Sequence, residues 1–189
     1  NLMVLSGPTG VGAAKLLSDN DAGTTLNDYN AEVVTDNSQI QTSLKSGEVD
    51  IAAIATNVAA NLAAKTDGGI QVLAVNTLGV LYILEKGDSV QSMADLAGKT
   101  IYATGQGSTP EYALNYLLEE NGLDPAADVT IEWKSEPSEI VAQMAAEDHV
   151  IAMLPPPFVT VAQSKFDDLT IRLDLTKEWD ALDNGSQLN

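Results

Sequence analysis

Short apolar runs alternate along this chain with longer stretches in which apolar side chains recur every three or four positions. Runs such as LMVL at 2–5, VDIAAIA at 49–55 and VIAML at 150–154 suit strands buried in parallel sheets. The stretches between them suit helices that cover those sheets, so the pattern predicts an α/β architecture with mainly parallel strands. Strands are expected near 2–6, 31–35, 49–55 and 71–75, and helices near 9–19, 38–46 and 57–64. The run LGVLYILE at 78–85 is expected to cross from a first lobe, 1–84, to a second, 85–183. That second lobe has expected strands near 99–104, 129–133, 149–154 and 169–173, with helices near 109–121, 137–147, 156–164 and 176–181.

Helix boundaries follow from local chemistry. The helix from Ser38 places Ile40 and Leu44 on one face, takes Asn37 or Ser38 as its cap and stops at Gly47. In the second lobe Ser108 with Glu111 fits a capping box, with Pro110 in the first turn. Asn121-Gly122 followed by Asp124-Pro125 ends that helix.

Residues 6–15, SGPTGVGAAK, come close to a phosphate-gripping P-loop but place Ala13 and Ala14 where that motif needs Lys and Ser or Thr. What remains is a strand, a glycine turn and a helix start, whose free N–H groups can hold an anionic or polar group without activating it. The bland alternative is a turn whose glycines serve geometry alone. The same device returns at Gly105-Gln106-Gly107. Shifted by one hundred positions without a gap, Gly7 falls on Gly107, Thr9 on Thr109, Leu17 on Leu117, Glu32 on Glu132, Ser38 on Ser138, Ile40 on Ile140 and Ile51 on Ile151. Two lobes built on one plan are therefore expected.

Charge narrows the partners. The 189 residues carry a formal charge of −18, which disfavours nucleic acid and anionic membranes, both of which call for basic patches. No cysteine is present, so disulfides, thiolate nucleophiles and cysteine-bound metals are excluded. There is no apolar run long enough to span a bilayer. The chain starts at Asn1 on a strand-like segment without a signal peptide, and a natural N-terminal region bearing an export signal or lipid-anchor cysteine is expected ahead of it.

The segments SLKSGEVDIAAIATNVA (43–59), MADLAGKTIYATGQGSTPEYAL (93–114) and MLPPPFV (153–159) resemble the solute-binding proteins of ABC importers that serve nitrate, taurine, aliphatic sulfonates and thiamine precursors. The resemblance covers essentially the whole chain. It implies the type II periplasmic-binding-protein fold, two α/β lobes closing on a ligand like a hinged trap, and an extracytoplasmic location in the periplasm or as a cell-surface lipoprotein. Family members return to the first lobe by a second crossover, which residues 184–189 would begin. The first lobe is accordingly expected to be incomplete here, with self-association or a second chain filling the gap.

Ligands of open α/β sheets bind at the carboxyl ends of the strands. The turns that qualify are Gly7-Pro8-Thr9-Gly10, Asp36-Asn37-Ser38, Ala55-Thr56-Asn57, Asn76-Thr77, Gly105 to Thr109 and Pro155-Pro156-Pro157. By resemblance these line the cleft. Thr9, Asn37, Ser38, Thr56, Asn57, Thr77, Ser108 and Thr109 are the candidate hydrogen-bonding groups, with Gly7, Pro8, Gly107 and Pro156 shaping the loops. The N–H groups of Gly10 and Thr109 are the candidate anion donors. For each Ser, Thr or Asn the competing role is a cap or turn that satisfies backbone alone.

No cation is expected among these loops: Lys15 lies further along its helix, and Arg172, the only arginine, is in a late strand. This favours a neutral, zwitterionic or singly charged ligand. His149, the sole histidine, has no catalytic partners in the pattern. Asp19 and Asp21 lack calcium-loop spacing. Tyr112, Tyr116 and Trp133 read as packing residues, with ligand contact the alternative for one tyrosine at the helix start, and no cofactor or metal is expected. The resulting expectation is a non-enzymatic binding protein that captures a small polar or anionic molecule between its lobes and hands it to a membrane permease. The alternatives are a pyrimidine-precursor synthase-like enzyme on the same fold and the ligand-sensing domain of a regulator.

Overall fold

A computed structural model describes residues 1–79 and 81–188. The chain divides into two compact units, Asn1–Leu78 and Gly79–Asn189.

The first unit alternates strand and helix: β1 (Leu2–Leu5), α1 (Pro8–Asp21), β2 (Ala31–Val34), α2 (Asn37–Ser46), β3 (Ile51–Ala53) and α3 (Thr56–Lys65). Its sheet is parallel, in the order β2-β1-β3, with Leu2 beside Ala31 and Ile51. The two-residue period of β1 sends Met3 to one face, where Val34, Ile40 and Val49 bury it, and Leu2 and Val4 to the other, against Ala13 of α1. Only the middle strand is enclosed.

The second unit contains β4 (Tyr82–Lys86), a 3-10 turn at Met93–Leu96, β5 (Thr100–Thr104), α4 (Thr109–Glu120), β6 (Thr130–Lys134), α5 (Pro137–Ala146), β7 (Val150–Leu154), α6 (Phe158–Lys165), β8 (Leu169–Asp174) and α7 (Leu175–Ala181). Its sheet runs β6-β5-β7-β4-β8, with β5 parallel to β6 and β7, and β4 antiparallel to both of its neighbours. All five residues of β7 are buried. One core joins Ile83, Ile101 and Met153 to Leu114 and Leu117 of α4; the other joins Leu84, Tyr102 and Ala152 to Ile140 and Met144 of α5.

The hundred-residue repeat is built into this topology. The order β2-β1-β3 recurs as β6-β5-β7, and α2, at 37–46, falls residue for residue on α5, at 137–146.

Three expected strands differ in the structure. Residues 71–75 form none: they run irregular and exposed, with Val72 at 68% and Leu73 at 72%. Apolar composition makes a strand only where a neighbour supplies hydrogen bonds, and no strand of this sheet lies beside them. The run 49–55 yields only β3, a sheet edge with Ile51 37% exposed, rather than a strand buried on both faces. The run 78–85 becomes β4, paired within the second unit; Val80 lies outside the described residues, as does Asn189 of the expected return crossover. Among the described residues no helix is long and apolar enough to cross a membrane.

Two charged residues lie buried side by side on β4. Glu85, 3% exposed, accepts hydrogen bonds from the Ser89 hydroxyl and from the Ser89 and Val90 N–H groups, and pairs with Arg172 at 3.1 Å. Burial opposes its charge, but those hydrogen bonds and the guanidinium outweigh it and hold the carboxyl below its usual range. Lys86 donates to the carbonyls of Met144 and Glu147, so its ammonium satisfies the C-terminal end of α5.

Candidate functional site

Because β1, β2 and β3 run parallel, their carboxyl ends and the helix starts that follow share one edge of the sheet. At α1 the cap is Gly7, with φ of 88° and no side chain to offer. Pro8 brings no N–H, and the first helical bond runs from the Val11 N–H to the Gly7 carbonyl at 3.0 Å. A side chain on Gly10 would lie 2.9 Å from the Leu5 carbonyl oxygen, so glycine lets the helix start settle onto β1.

The segment 76–77 closes over this start. Asn76 Nδ2 donates to the Thr9 carbonyl at 3.2 Å, and Thr77 Oγ1 donates to the Pro8 carbonyl at 3.3 Å. A Cβ on Gly12 would meet Thr77 Oγ1 at 2.6 Å and the Asn76 carbonyl oxygen at 2.7 Å, which is why that position carries none. Gly7, Pro8, Thr9, Gly10 and Thr77 are thus brought together.

The start of α2 is different. Its cap is Asp36, not Asn37 or Ser38: the carboxylate accepts the Ser38 N–H and the Ser38 hydroxyl, each at 2.7 Å. The Ser38 hydroxyl is the main reason the Asp36 carboxyl sits below its ordinary value, with the Ser38 N–H adding to it. The hydroxyl is therefore committed within the chain. Asn37 keeps a buried Oδ1 without a hydrogen bond among the described residues. Thr56 and Asn57 open α3 behind Ala55, which provides no capping side chain.

In the second unit β5, β6 and β7 bring the loops before α4, α5 and α6 to one sheet edge in the same way. Gly107 has φ of 75°, in the same left-handed region as Gly7 at 88°. The expected capping box is absent: the Ser108 hydroxyl donates to the Gly105 carbonyl at 2.7 Å, and Glu111 Oε2 accepts the Gly107 N–H at 2.6 Å instead of the Ser108 N–H. Thr109 is the first residue of α4. Pro156 is joined to Pro157 by a cis peptide; α6 has Pro157 as its cap and starts at Phe158, two residues later than expected.

Tyr112, expected to pack, stands 56% exposed in the first turns of α4. Tyr116 does pack, its ring 4.7 Å from that of Trp179, and Trp133 lies against the core. Lys15 is 84% exposed and paired with Asp19. His149 is exposed just ahead of β7. Arg172 is held by Glu85, Asp88 and the Gly87 carbonyl near the end of β4, at the opposite edge from these loops.

Sequence reading missed one cation at the edge. Lys134 ends β6 in register with Thr104, its Nζ 3.0 Å from Glu132 Oε2 and 5.1 Å from the centre of the Tyr102 ring. Its hydrogen bond to Glu132 holds the ammonium pKa up. The strand period, which puts residues 132 and 134 on one face, was the available signal.

A model of the family described as ABC transporter, phosphonate, periplasmic substrate-binding protein matches residues 24–171. Among solved structures, an ABC transporter protein from Parabacteroides distasonis is 26% identical, with a TM-score of 0.69 over 93% of this chain and 58% of that one. The periplasmic aliphatic sulphonate binding protein SsuA of Escherichia coli is 18% identical, with a TM-score of 0.65 over 93% of this chain and 56% of that one. A binding protein component of an ABC phosphonate transporter from Pseudomonas aeruginosa is 16% identical, with a TM-score of 0.56 over 91% and 63%. The chain thus spans under two thirds of the length of these structures. Among curated proteins no sequence match was found.

Proposed function

Since this chain belongs to the family of periplasmic substrate-binding proteins of phosphonate ABC transporters, we propose that it captures a small polar or anionic solute with the strand-end loops of its two units and delivers it to a membrane permease. Its α/β units have the type II periplasmic-binding-protein fold. The observation that carries the proposal is the repeated helix start. Both α1 and α4 follow a glycine turn at the end of a central parallel strand, and neither has a side-chain cap hydrogen bond. A helix start of this kind offers N–H donors and the positive end of its dipole to an oxyanion.

Capture needs no covalent step. Thr9, Gly10, Thr77, Ser108 and Thr109 are the proposed contacts, and Thr56, Asn57 and Asn37 extend them along the first unit's edge. Ser38 is a weaker candidate because Asp36 already engages it. The protein is placed outside the cytoplasm, where a lipid anchor could hold it near its permease. Association with a second chain would cover the exposed apolar residues of the first unit, Val72, Leu73 and Val75.

Thermal-shift and calorimetric titration with methylphosphonate, ethanesulfonate, taurine and nitrate tests the reading. Stabilisation by at least one of them is expected. Thr9→Ala combined with Ser108→Ala should then weaken binding about tenfold or more. Turnover of a probe without stabilisation would overturn the binding-protein reading, and unchanged affinity in the double variant would remove the loops from it.

A further inference from the structure

The acidic balance of this chain has a physical cost that the fold does little to offset. Asp and Glu number 27 against nine Lys and Arg. Among the described residues only Asp19, Asp50, Glu85, Asp88, Glu132 and Asp174 form ion pairs. Of the remaining carboxylates some accept hydrogen bonds at helix starts and turns, as Asp36 and Asp95 do, and others face water beside one another, as at the exposed neighbours Glu119 and Glu120 and again at Asp167 and Asp168.

Acids also stand where an anion would arrive. Asp36, Glu136 and Asp174 hold the starts of α2, α5 and α7, and Glu111 occupies the Gly107 N–H. Lys134, the cation found at this edge, is paired with Glu132, and Lys177 with Asp174, while Lys15 is paired with Asp19 and Arg172 serves Glu85 and Asp88 at the opposite edge.

We infer that this protein folds and captures anions against its own electrostatic field, so that its thermal stability and its rate of anion capture both rise with ionic strength. The capture half rests on the function proposed above; the stability half stands without it. At about 0.01 M salt the screening length is about 30 Å, so carboxylates repel across a whole unit, whereas at about 0.15 M it is about 8 Å and only near neighbours interact. Self-repulsion of this kind destabilises the compact state. A field of net charge −18 also slows an approaching anion, by the same physics that accelerates an oppositely charged ligand. A binding protein that draws in its anion through a basic cleft would show the reverse dependence.

The test measures the melting temperature of the purified protein from about 10 mM to about 1 M sodium chloride, and again in choline chloride. A rise of about 5 to 10 °C is expected in both salts. The quadruple variant Glu119→Gln, Glu120→Gln, Asp167→Asn, Asp168→Asn should melt higher at low salt and respond less to added salt. Stopped-flow association of methylphosphonate should accelerate about tenfold over the same range, while zwitterionic taurine changes by less than about twofold.

A melting temperature that is flat or falls with salt, a rise confined to sodium chloride, or an unchanged response in the quadruple variant overturns the stability half. Methylphosphonate association that is flat or slows overturns the capture half. Failure of both probes to bind at every salt concentration overturns the proposed function and the capture half with it, while the melting series still decides the stability half.

Discussion

The two units execute one plan with different outcomes. In the second unit β7 lies between β5 and β4, and all five of its residues are buried. Its counterpart β3 is the last strand of a three-stranded sheet, shortened to three residues, with Ile51 exposed. Both are apolar runs that the sequence marks as buried. A strand becomes an interior strand through its neighbours' hydrogen bonds, and β4 and β8 supply them to only one of the two sheets.

The helix starts diverge similarly. Gly12 of α1 and Tyr112 of α4 occupy equivalent positions. The first must be glycine because residues 76–77 lie against it, while the second projects a ring that is 56% exposed. The α2 and α5 starts have converged instead: Asp36 and Glu136 each accept the hydroxyl of the serine two residues on, Ser38 and Ser138.

The largest expected difference between the units is in backbone protection. Amides of β5 and β7 should exchange with solvent on the order of a thousandfold more slowly than those of β2 and β3. Hydrogen-exchange mass spectrometry checks this, and equal protection would break the comparison. Next, Leu84→Ala removes a side chain with no exposure from the second unit and should cost about 3 to 4 kcal/mol by urea denaturation. The same truncation at the edge, Ile51→Ala, should cost less than about 1 kcal/mol.

Glu85→Ala leaves Arg172 without its buried partner and should cost about 3 kcal/mol near neutral pH. The folded Glu85 carboxyl titrates below its unfolded value. Its stabilisation is therefore complete above the unfolded carboxylate pKa and is lost as pH falls through the lowered folded one. The gap between wild type and variant should close over that acid window, as a pH series of melts would show.

A smaller contrast separates the two helix starts. Gly12→Ala should cost about 1 to 3 kcal/mol by forcing residues 76–77 off α1, whereas Tyr112→Ala should stay within about 0.5 kcal/mol of wild type. Asp36→Ala should lower the melting temperature slightly through its lost cap at the start of α2, as a thermal melt beside wild type would show.

By itself the sequence determined most of the element types, 71–75 being the strand that does not form, together with the repeat and the edge at which the candidate loops gather. These depend on periodicity and on short-range rules: apolar residues at strand spacing, glycines where backbones approach, prolines that open helices. The resemblance carried by 43–59, 93–114 and 153–159 led to the family that the match over 24–171 establishes. Only the tertiary structure decided which apolar runs are interior, which acceptor wins each N–H and which cations remain available. Residues 71–75 and 82–86 look alike as apolar runs, yet only the second pairs on both sides. Glu111 takes the Gly107 N–H from a distance of four residues because the loop folds back toward the helix, and Asp36 precedes the residues that seemed to be caps. Lys134 reaches the edge of the candidate loops because of its register with Thr104. Such outcomes are competitions between partners brought together by folding, and the winner is set by geometry and charge that no local window contains.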